Sequence, residues 1–280
     1  KDTRHGSHSR EMNSILARKL REYTMLLDHK TSLQDKKSLK DKFMNEIWNL
    51  LVGFLGKPPQ KFDYEIFNKN NEKVTFSKIT PIEFYNKINF KIDDWVTIVN
   101  DPREENTYNN KYTIEYLGNV VGEKESYLNV SMHRLKNIAS QMLKNNVPIW
   151  FGCDVGKERH RKSGVHHIGI LNLDKYLDTE FTMNKAERLK RGESLMTHAM
   201  LLVGLNEKED KSYSWKVENS WGKDSGINGY LILSDEWFDQ YVYEALVPKS
   251  YLSKSELEVW NKNELKSLPP WDPMGSLAKL

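Results

Sequence analysis

From residue 147 onward the chain carries short apolar runs at residues 147–153, 198–205, 213–218, 230–233 and 241–247, each bounded by polar loops. Runs of this length, rich in Val, Ile, Tyr and Trp and too short for buried helices, read as strands. The character of the chain therefore changes near residue 145, helical with a small β excursion before it and mostly strands after it.

Ahead of the strands, Met12, Ile15, Leu16, Leu20, Tyr23 and Leu27 recur at three-to-four spacing, the signature of one helix face. After the Lys-rich residues 30–40 the pattern returns at Phe43, Ile47, Leu50, Leu51 and Phe54, stopped by Gly56 and Pro58-Pro59. Phe62, Tyr64 and Ile66, then Val74 and Phe76, alternate with polar residues about Asn70-Asn71, which predicts a hairpin. Thr80-Pro-Ile-Glu83 supplies a capping oxygen, a first-turn proline and an acidic third residue for a short helix. A strand is expected at 95–99, an irregular excursion over 100–129 around a strand at 112–117, and a helix at 132–143. Residues 248–280 read as a polar linker, whose end, from Leu268, is kept extended by Pro269, Pro270 and Pro273.

Charge excludes several classes of function. The 42 basic and 39 acidic residues are interspersed, so no stretch carries one sign long enough for a dedicated nucleic-acid or membrane-surface protein. The one cysteine, Cys153, excludes an internal disulfide and a multi-cysteine metal site, and fits a reducing compartment. No apolar run approaches the roughly 18 residues of a membrane span, and no signal peptide is visible. Because the polar residues 1–10 lead straight into a helix, the chain is expected to begin in mid-protein.

Two motifs carry chemistry: Met196-Thr-His198-Ala-Met200 on one strand and Val217-Glu-Asn219-Ser-Trp-Gly222 at the end of the next. In antiparallel neighbours the two can meet at one sheet end. An imidazole can take a thiol proton and return it to a leaving amine, while a carboxamide oxygen on the other ring nitrogen fixes the tautomer. Trp221 can shield that hydrogen bond from water. Each residue alone reads as a core histidine or a turn asparagine. Together, and followed by Gly229-Tyr-Leu231, they match the order found in papain-like proteases.

The longer motifs Trp150-Phe-Gly-Cys-Asp-Val-Gly156, Met183-Asn-Lys-Ala-Glu-Arg188, Gly192-Glu-Ser-Leu-Met-Thr-His198, Asp235-Glu-Trp-Phe238 and Trp271-Asp-Pro-Met-Gly275 resemble the bleomycin hydrolase and aminopeptidase C family, as do Asn100-Asp-Pro-Arg103 and Tyr112-Thr-Ile-Glu-Tyr116. The resemblance implies an α+β papain-like fold: a helical and hook-like region over 1–145, a β-barrel half over 146–250 and a C-terminal arm over 251–280 that enters the active-site cleft. It also implies a cytoplasmic homohexamer that removes amino-terminal residues from peptides without metal or organic cofactor. His198 is carried over as general base and acid and Asn219 as its orienting partner. Ala278, Lys279 and Leu280 are expected against the substrate's amino end. The family's Gln…Gly-x-Cys-Trp segment with the nucleophile has no counterpart here, so a Cys-bearing N-terminal part is the implied partner. Cys153 itself reads as a small buried hydrophobe in an apolar strand.

Other candidates are weaker. His160, His166 and His167 with Cys153 and Asp154 match no standard zinc spacing, and with Lys157, Arg159, Arg161 and Lys162 they read as a solvated basic loop. His5 and His8 carry no assignment. The rivals to an enzyme are a non-catalytic assembly or binding module derived from the family and, on the basic loop and the Lys-rich stretch, a nucleic-acid binder, whose affinity would have to weaken with salt.

Overall fold

In the computed structural model, residues 9–88, 90–117, 124–209, 211–262 and 264–275 are described, without the side chains of 211 and 212. Contacts divide the chain into a smaller unit within Ser7–Phe90 and a larger one within Lys91–Leu280.

The smaller unit begins with helices α1 (Arg10–Asp28) and α2 (Leu33–Leu55). Tyr23 stacks on Phe43 where both are buried, and its hydroxyl donates to Glu46 Oε2 at 3.0 Å. Helix α2 takes in much of the Lys-rich stretch, because Ser32 caps it by accepting from Asp35 N at 3.0 Å. Strands β1 (Phe62–Phe67) and β2 (Lys73–Ile79) form the expected hairpin. Helix α3 (Pro81–Lys87) follows a complete Thr80/Glu83 capping box. Its Phe84 meets Phe62, Tyr64 and Phe76 edge-on at 5.4, 5.0 and 5.6 Å, and so binds helix to hairpin.

The larger unit is one 11-stranded sheet with helices against it. In chain order it holds β3 (Trp95–Val99), β4 (Asn110–Ile114), β5 (Tyr127–Asn129), α4 (Met132–Lys144), β6 (Ile149–Cys153), β7 (Arg159–His160), β8 (Val165–His166), α5 (Leu173–Leu177), α6 (Lys185–Lys190), β9 (His198–Lys208), β10 (Lys211–Glu218), β11 (Tyr230–Ser234), α7 (Asp235–Tyr241), β12 (Val242–Pro248), α8 (Lys254–Asn261) and β13 (Lys266–Leu268). The sheet order is β13-β4-β5-β3-β12-β6-β9-β10-β11-β8-β7. Ile149, Phe151 and Cys153 alternate on β6 and are fully buried, as a period of two requires. Leu135, Ile138 and Met142 of α4 and Trp237 and Phe238 of α7 share their core cluster. Each such side chain contributes roughly 1.5–3 kcal/mol of burial free energy. Trp215 stacks on Phe238 at 4.5 Å and its indole N–H donates to Asp235 Oδ1 at 3.0 Å, so this large ring is buried without an orphaned donor.

The units divide at residues 90 and 91 rather than near 145, because β3 pairs with β12 along its whole length and thereby ties residues 95–99 into the sheet. The excursion over 100–129 is more ordered than its turn residues suggest. It supplies β4 and β5, and its polar side chains close on themselves: Asn129 Nδ2 donates to the carbonyls of Asp101 and Asn106 at 2.9 and 2.7 Å. Residues 248–268 are not a linker either. Ser253 and Glu256 form a capping box that starts α8, Glu256 pairs with Arg134 at 2.7 Å, and β13 joins the sheet parallel to β4.

Among the described residues no helix is long and apolar enough to cross a membrane.

Candidate active site

His198 is the first residue of β9, and Asn219 follows the last residue of β10. The strands are antiparallel, with Glu218 opposite Leu201, so the end of one meets the start of the other. The result is a hydrogen bond between His198 Nε2 and Asn219 Oδ1 at 2.9 Å. Asn219 is buried, and its carboxamide oxygen also accepts from Ser220 N at 2.8 Å, which turns that oxygen toward the ring. A carboxamide oxygen can only accept, so Nε2 carries the proton and Nδ1 is the basic nitrogen. Among the described residues Nδ1 has no hydrogen-bond partner.

Trp221 stacks on the imidazole at 4.8 Å with 24° between the rings. Arg159, on the β7–β8 hairpin, lies 5.5 Å over the same indole.

The approach to His198 is held by a residue the sequence weighed only as a metal ligand. Asp154, buried just past β6, accepts from Ser194 Oγ at 2.9 Å, Leu195 N at 3.3 Å and Thr197 Oγ1 at 3.2 Å. Thr197 N donates to the Cys153 carbonyl at 3.0 Å. One carboxylate thus anchors the turn that delivers the histidine.

Cys153 is opposite His198 in the β6–β9 register, yet it is fully buried, and among the described residues no hydrogen bond joins the two. Burial pushes its thiol well above the ordinary range, with Asp154 adding to the effect. That is the opposite of what a nucleophilic thiolate needs.

The histidines of the basic loop part company. His160 and His167 are exposed, bonded to Ser163 Oγ at 2.8 Å and Ser234 Oγ at 3.1 Å, as a solvated loop predicts. His166 is not solvated. It is buried edge-on to Trp237 at 4.9 Å with Nε2 3.2 Å from the Val155 carbonyl, and burial lowers its pKa to about 4. Among the described residues no group of His, Cys, Asp or Glu could hold a metal ion.

Glu244 of β12 is a second buried carboxyl near β6. A Cβ on Gly152 would lie 3.1 Å from its Oε2 and 2.5 Å from Met196 Sδ, so glycine is what admits both side chains. Burial pushes Glu244 up to about 7, with Glu125 adding to the effect, and among the described residues it has no ion-pair partner.

Ala278, Lys279 and Leu280 lie outside the described residues. The arm before them is fixed. Arg103 reaches across to donate to both oxygens of Asp272 at 3.0 Å while pairing with Asp101 at 2.6 Å, and Met274 is buried against Ile114 and Leu268.

Comparison with known proteins bears on this arrangement. Residues 1–275 match the family described as Peptidase C1-like. The chain is 44% identical over 276 residues to an aminopeptidase C of Lactococcus lactis subsp. cremoris, covering 97% of this chain and 63% of that protein. It is 41% identical over 283 residues to a bleomycin hydrolase of Gallus gallus, covering 97% and 62%. The crystal structure of PepW from Lactobacillus rhamnosis HN001 superposes with a TM-score of 0.89 at 39% identity, covering 95% of this chain and 61% of that one. The α+β architecture is therefore that of a solved relative, and the chain spans less than two thirds of the length of the proteins it matches.

Proposed function

The chain belongs to the Peptidase C1-like family, and from that premise we propose that it is the acid–base part of a papain-class thiol aminopeptidase. The observation that carries this reading is the 2.9 Å bond between His198 Nε2 and Asn219 Oδ1, with Trp221 stacked on the imidazole. In the proposed mechanism Nδ1 of His198 takes the proton of a nucleophilic thiol. The thiolate attacks the scissile carbonyl, and Nδ1 then protonates the leaving amine; water later releases the acyl group with the imidazole again acting as base. Asn219 holds the ring in the tautomer this requires.

Cys153 does not serve as that thiol, because it is buried and resists ionisation. The nucleophile is assigned instead to a Cys-bearing N-terminal part of the same enzyme, for which the additional length of the relatives leaves room. Similarity to an aminopeptidase C and a bleomycin hydrolase supports amino-terminal trimming of peptides, and the family resemblance supports a cytoplasmic homohexamer. The C-terminal residues 278–280, carried beyond the Arg103–Asp272 anchor, are proposed to meet the free ammonium of the substrate and to block longer chains.

The test is His198→Ala in the complete enzyme, assayed on aminoacyl substrates with a fluorogenic amine. Activity is expected to disappear. A folded variant that keeps wild-type turnover would remove His198 from the mechanism.

A further inference from the structure

The hairpin of β7 and β8 closes one edge of the sheet, with β8 parallel to β11 through Ile232↔Val165 and Leu233↔His166. Its turn is locked against the loop that carries Trp221. A Cβ on Gly164 would lie 2.7 Å from Gly226 Cα, and one on Gly226 would run into the Tyr230 carbonyl, so both positions need glycine at φ +72° and +61°. Arg159 and Trp221 are thus presented on two rigidly joined loops. Between them opens a pocket of about 280 Å³ lined by Arg159, Arg161, His166, Trp221 and Ser225 among others.

The charges in this pocket are not balanced from within. Among the described residues neither Arg159 nor Arg161 has an ion-pair or hydrogen-bond partner for its guanidinium. Among the described residues neither Asp224, on the Trp221 loop, nor Glu158, next to Arg159 in the chain, forms an ion pair with either arginine, and one carboxylate oxygen of Glu158 is buried without a hydrogen-bond partner. Burial and the repulsion of Arg161 together hold the Arg159 guanidinium below its usual pKa. His166, the remaining titratable group of the lining, is kept neutral near pH 7 by burial. Two like charges held together without an acid form a site that an anion relieves, and a planar guanidinium is suited to a carboxylate.

We propose that Arg159 and Arg161 form a carboxylate-binding subsite that selects peptides whose leaving part carries a carboxylate, either an acidic side chain or the terminal carboxylate of a short peptide. The inference rests on the reading of His198 as general acid. The leaving amine must lie against the imidazole to receive its proton, and Trp221 is stacked on that imidazole at 4.8 Å while Arg159 lies 5.5 Å over the same indole. The group that reaches the arginines is therefore attached to the leaving amine. A charge-assisted contact of this kind favours its ligand by roughly tenfold or more.

The experiment compares kcat/KM of the complete enzyme for alanyl-alanine, alanyl-alanine amide and alanyl-aspartic acid α-amide. The carboxylate-bearing substrates are expected to lead the amide by roughly tenfold, mainly through KM, and the lead to shrink toward parity in Arg159→Gln/Arg161→Gln. Preference for alanyl-alanine alone would identify the terminal carboxylate; preference for both would admit side chains as well. Equal rates on acid and amide in the wild type, or a lead that survives the double substitution, would overturn the subsite. A second measurement does not depend on turnover: calorimetric titration of the purified chain with N-acetyl-alanyl-alanine and its amide. Tighter binding of the acid that is lost in the double variant supports the subsite even if the His198 reading fails. Equal binding of acid and amide counts against it.

Discussion

Arg103 and Asp272 stand 169 residues apart in the chain and share two hydrogen bonds of 3.0 Å in a buried site. Burial works against the guanidinium's charge, but Asp101 and Asp272 outweigh it and hold the Arg103 pKa above its usual value. Removing Asp272 takes away both bonds that tie the arm to this site, while Arg103 keeps its pair with Asp101. Asp272→Ala is therefore expected to destabilise the fold by about 1.5–3 kcal/mol, read as a lower urea midpoint at unchanged slope. Arg103→Lys should recover little, since an ammonium cannot reproduce the two-sided fork. An unchanged midpoint for Asp272→Ala would show that the arm is held by its apolar contacts alone.

Asn219→Ala in the complete enzyme is expected to reduce kcat by about ten- to a hundredfold. That loss is smaller than for His198→Ala, because the imidazole remains and only its orientation is lost. Steady-state kinetics on one fluorogenic substrate decides it. A variant as inactive as His198→Ala would give the carboxamide a larger role than orientation.

Glu244 gives a pH dependence of definite sign. Its folded pKa of about 7 lies above the 4.5 of an unperturbed glutamate, so the folded state holds a proton that the unfolded state releases. Its contribution is complete below pH 4.5 and is lost as pH rises through 7. Glu244→Gln should therefore gain stability relative to wild type between pH 5 and pH 8, by at most about 3 kcal/mol. His166, whose folded pKa is lowered to about 4, acts in the opposite sense: its contribution is present above its unfolded value near 6.5 and is lost as pH falls toward 4. The difference between variant and wild type isolates Glu244 from it. Parallel urea midpoints at the two pH values would show that the carboxyl is solvated.

Cys153 should resist iodoacetamide in the folded protein and react once the chain is unfolded, since only the thiolate is nucleophilic and burial suppresses it. Cys153→Ser should leave the complete enzyme active with a modest loss of stability from a hydroxyl in an apolar strand. Total loss of turnover in a folded Cys153→Ser protein would return the nucleophile to this residue.

Deleting residues 275–280 should weaken cleavage of substrates with a free amino end and admit N-blocked peptides. The comparison of a free and an acetylated peptide, before and after truncation, reads this directly. A truncated enzyme that still requires the free amine would place the gate elsewhere.

What could be read from sequence tracks the distance over which each interaction is closed. The pair His198 and Asn219 lies on adjacent strands 21 residues apart, so two motifs and one hairpin suffice to predict its meeting. Thr80-Pro-Ile-Glu83 states its own cap in consecutive residues. Ser253 and Glu256 make the same statement, but the polarity of their surroundings concealed it. Asp154 was harder: its partners lie at 194–197, and its neighbour Cys153 suggested a metal before it suggested an anchor. His166 was hidden by the charges around it, because burial there depends on Trp237 from another element. The unit boundary was misplaced for a related reason, since the pairing of β3 with β12 joins segments far apart in the chain.

These separations also set an order of assembly. Closing a loop becomes entropically harder with its length, and the difference between the 21 residues spanning His198 to Asn219 and the 169 spanning Arg103 to Asp272 is about 2 kcal/mol. The histidine hairpin can therefore form early as a local event, whereas the arm must wait until the sheet has brought its two ends together. During synthesis the same asymmetry applies, because Asp272 is made well after both His198 and Asn219. The chain joins His198 to Asn219 first and docks the segment around Asp272 afterwards.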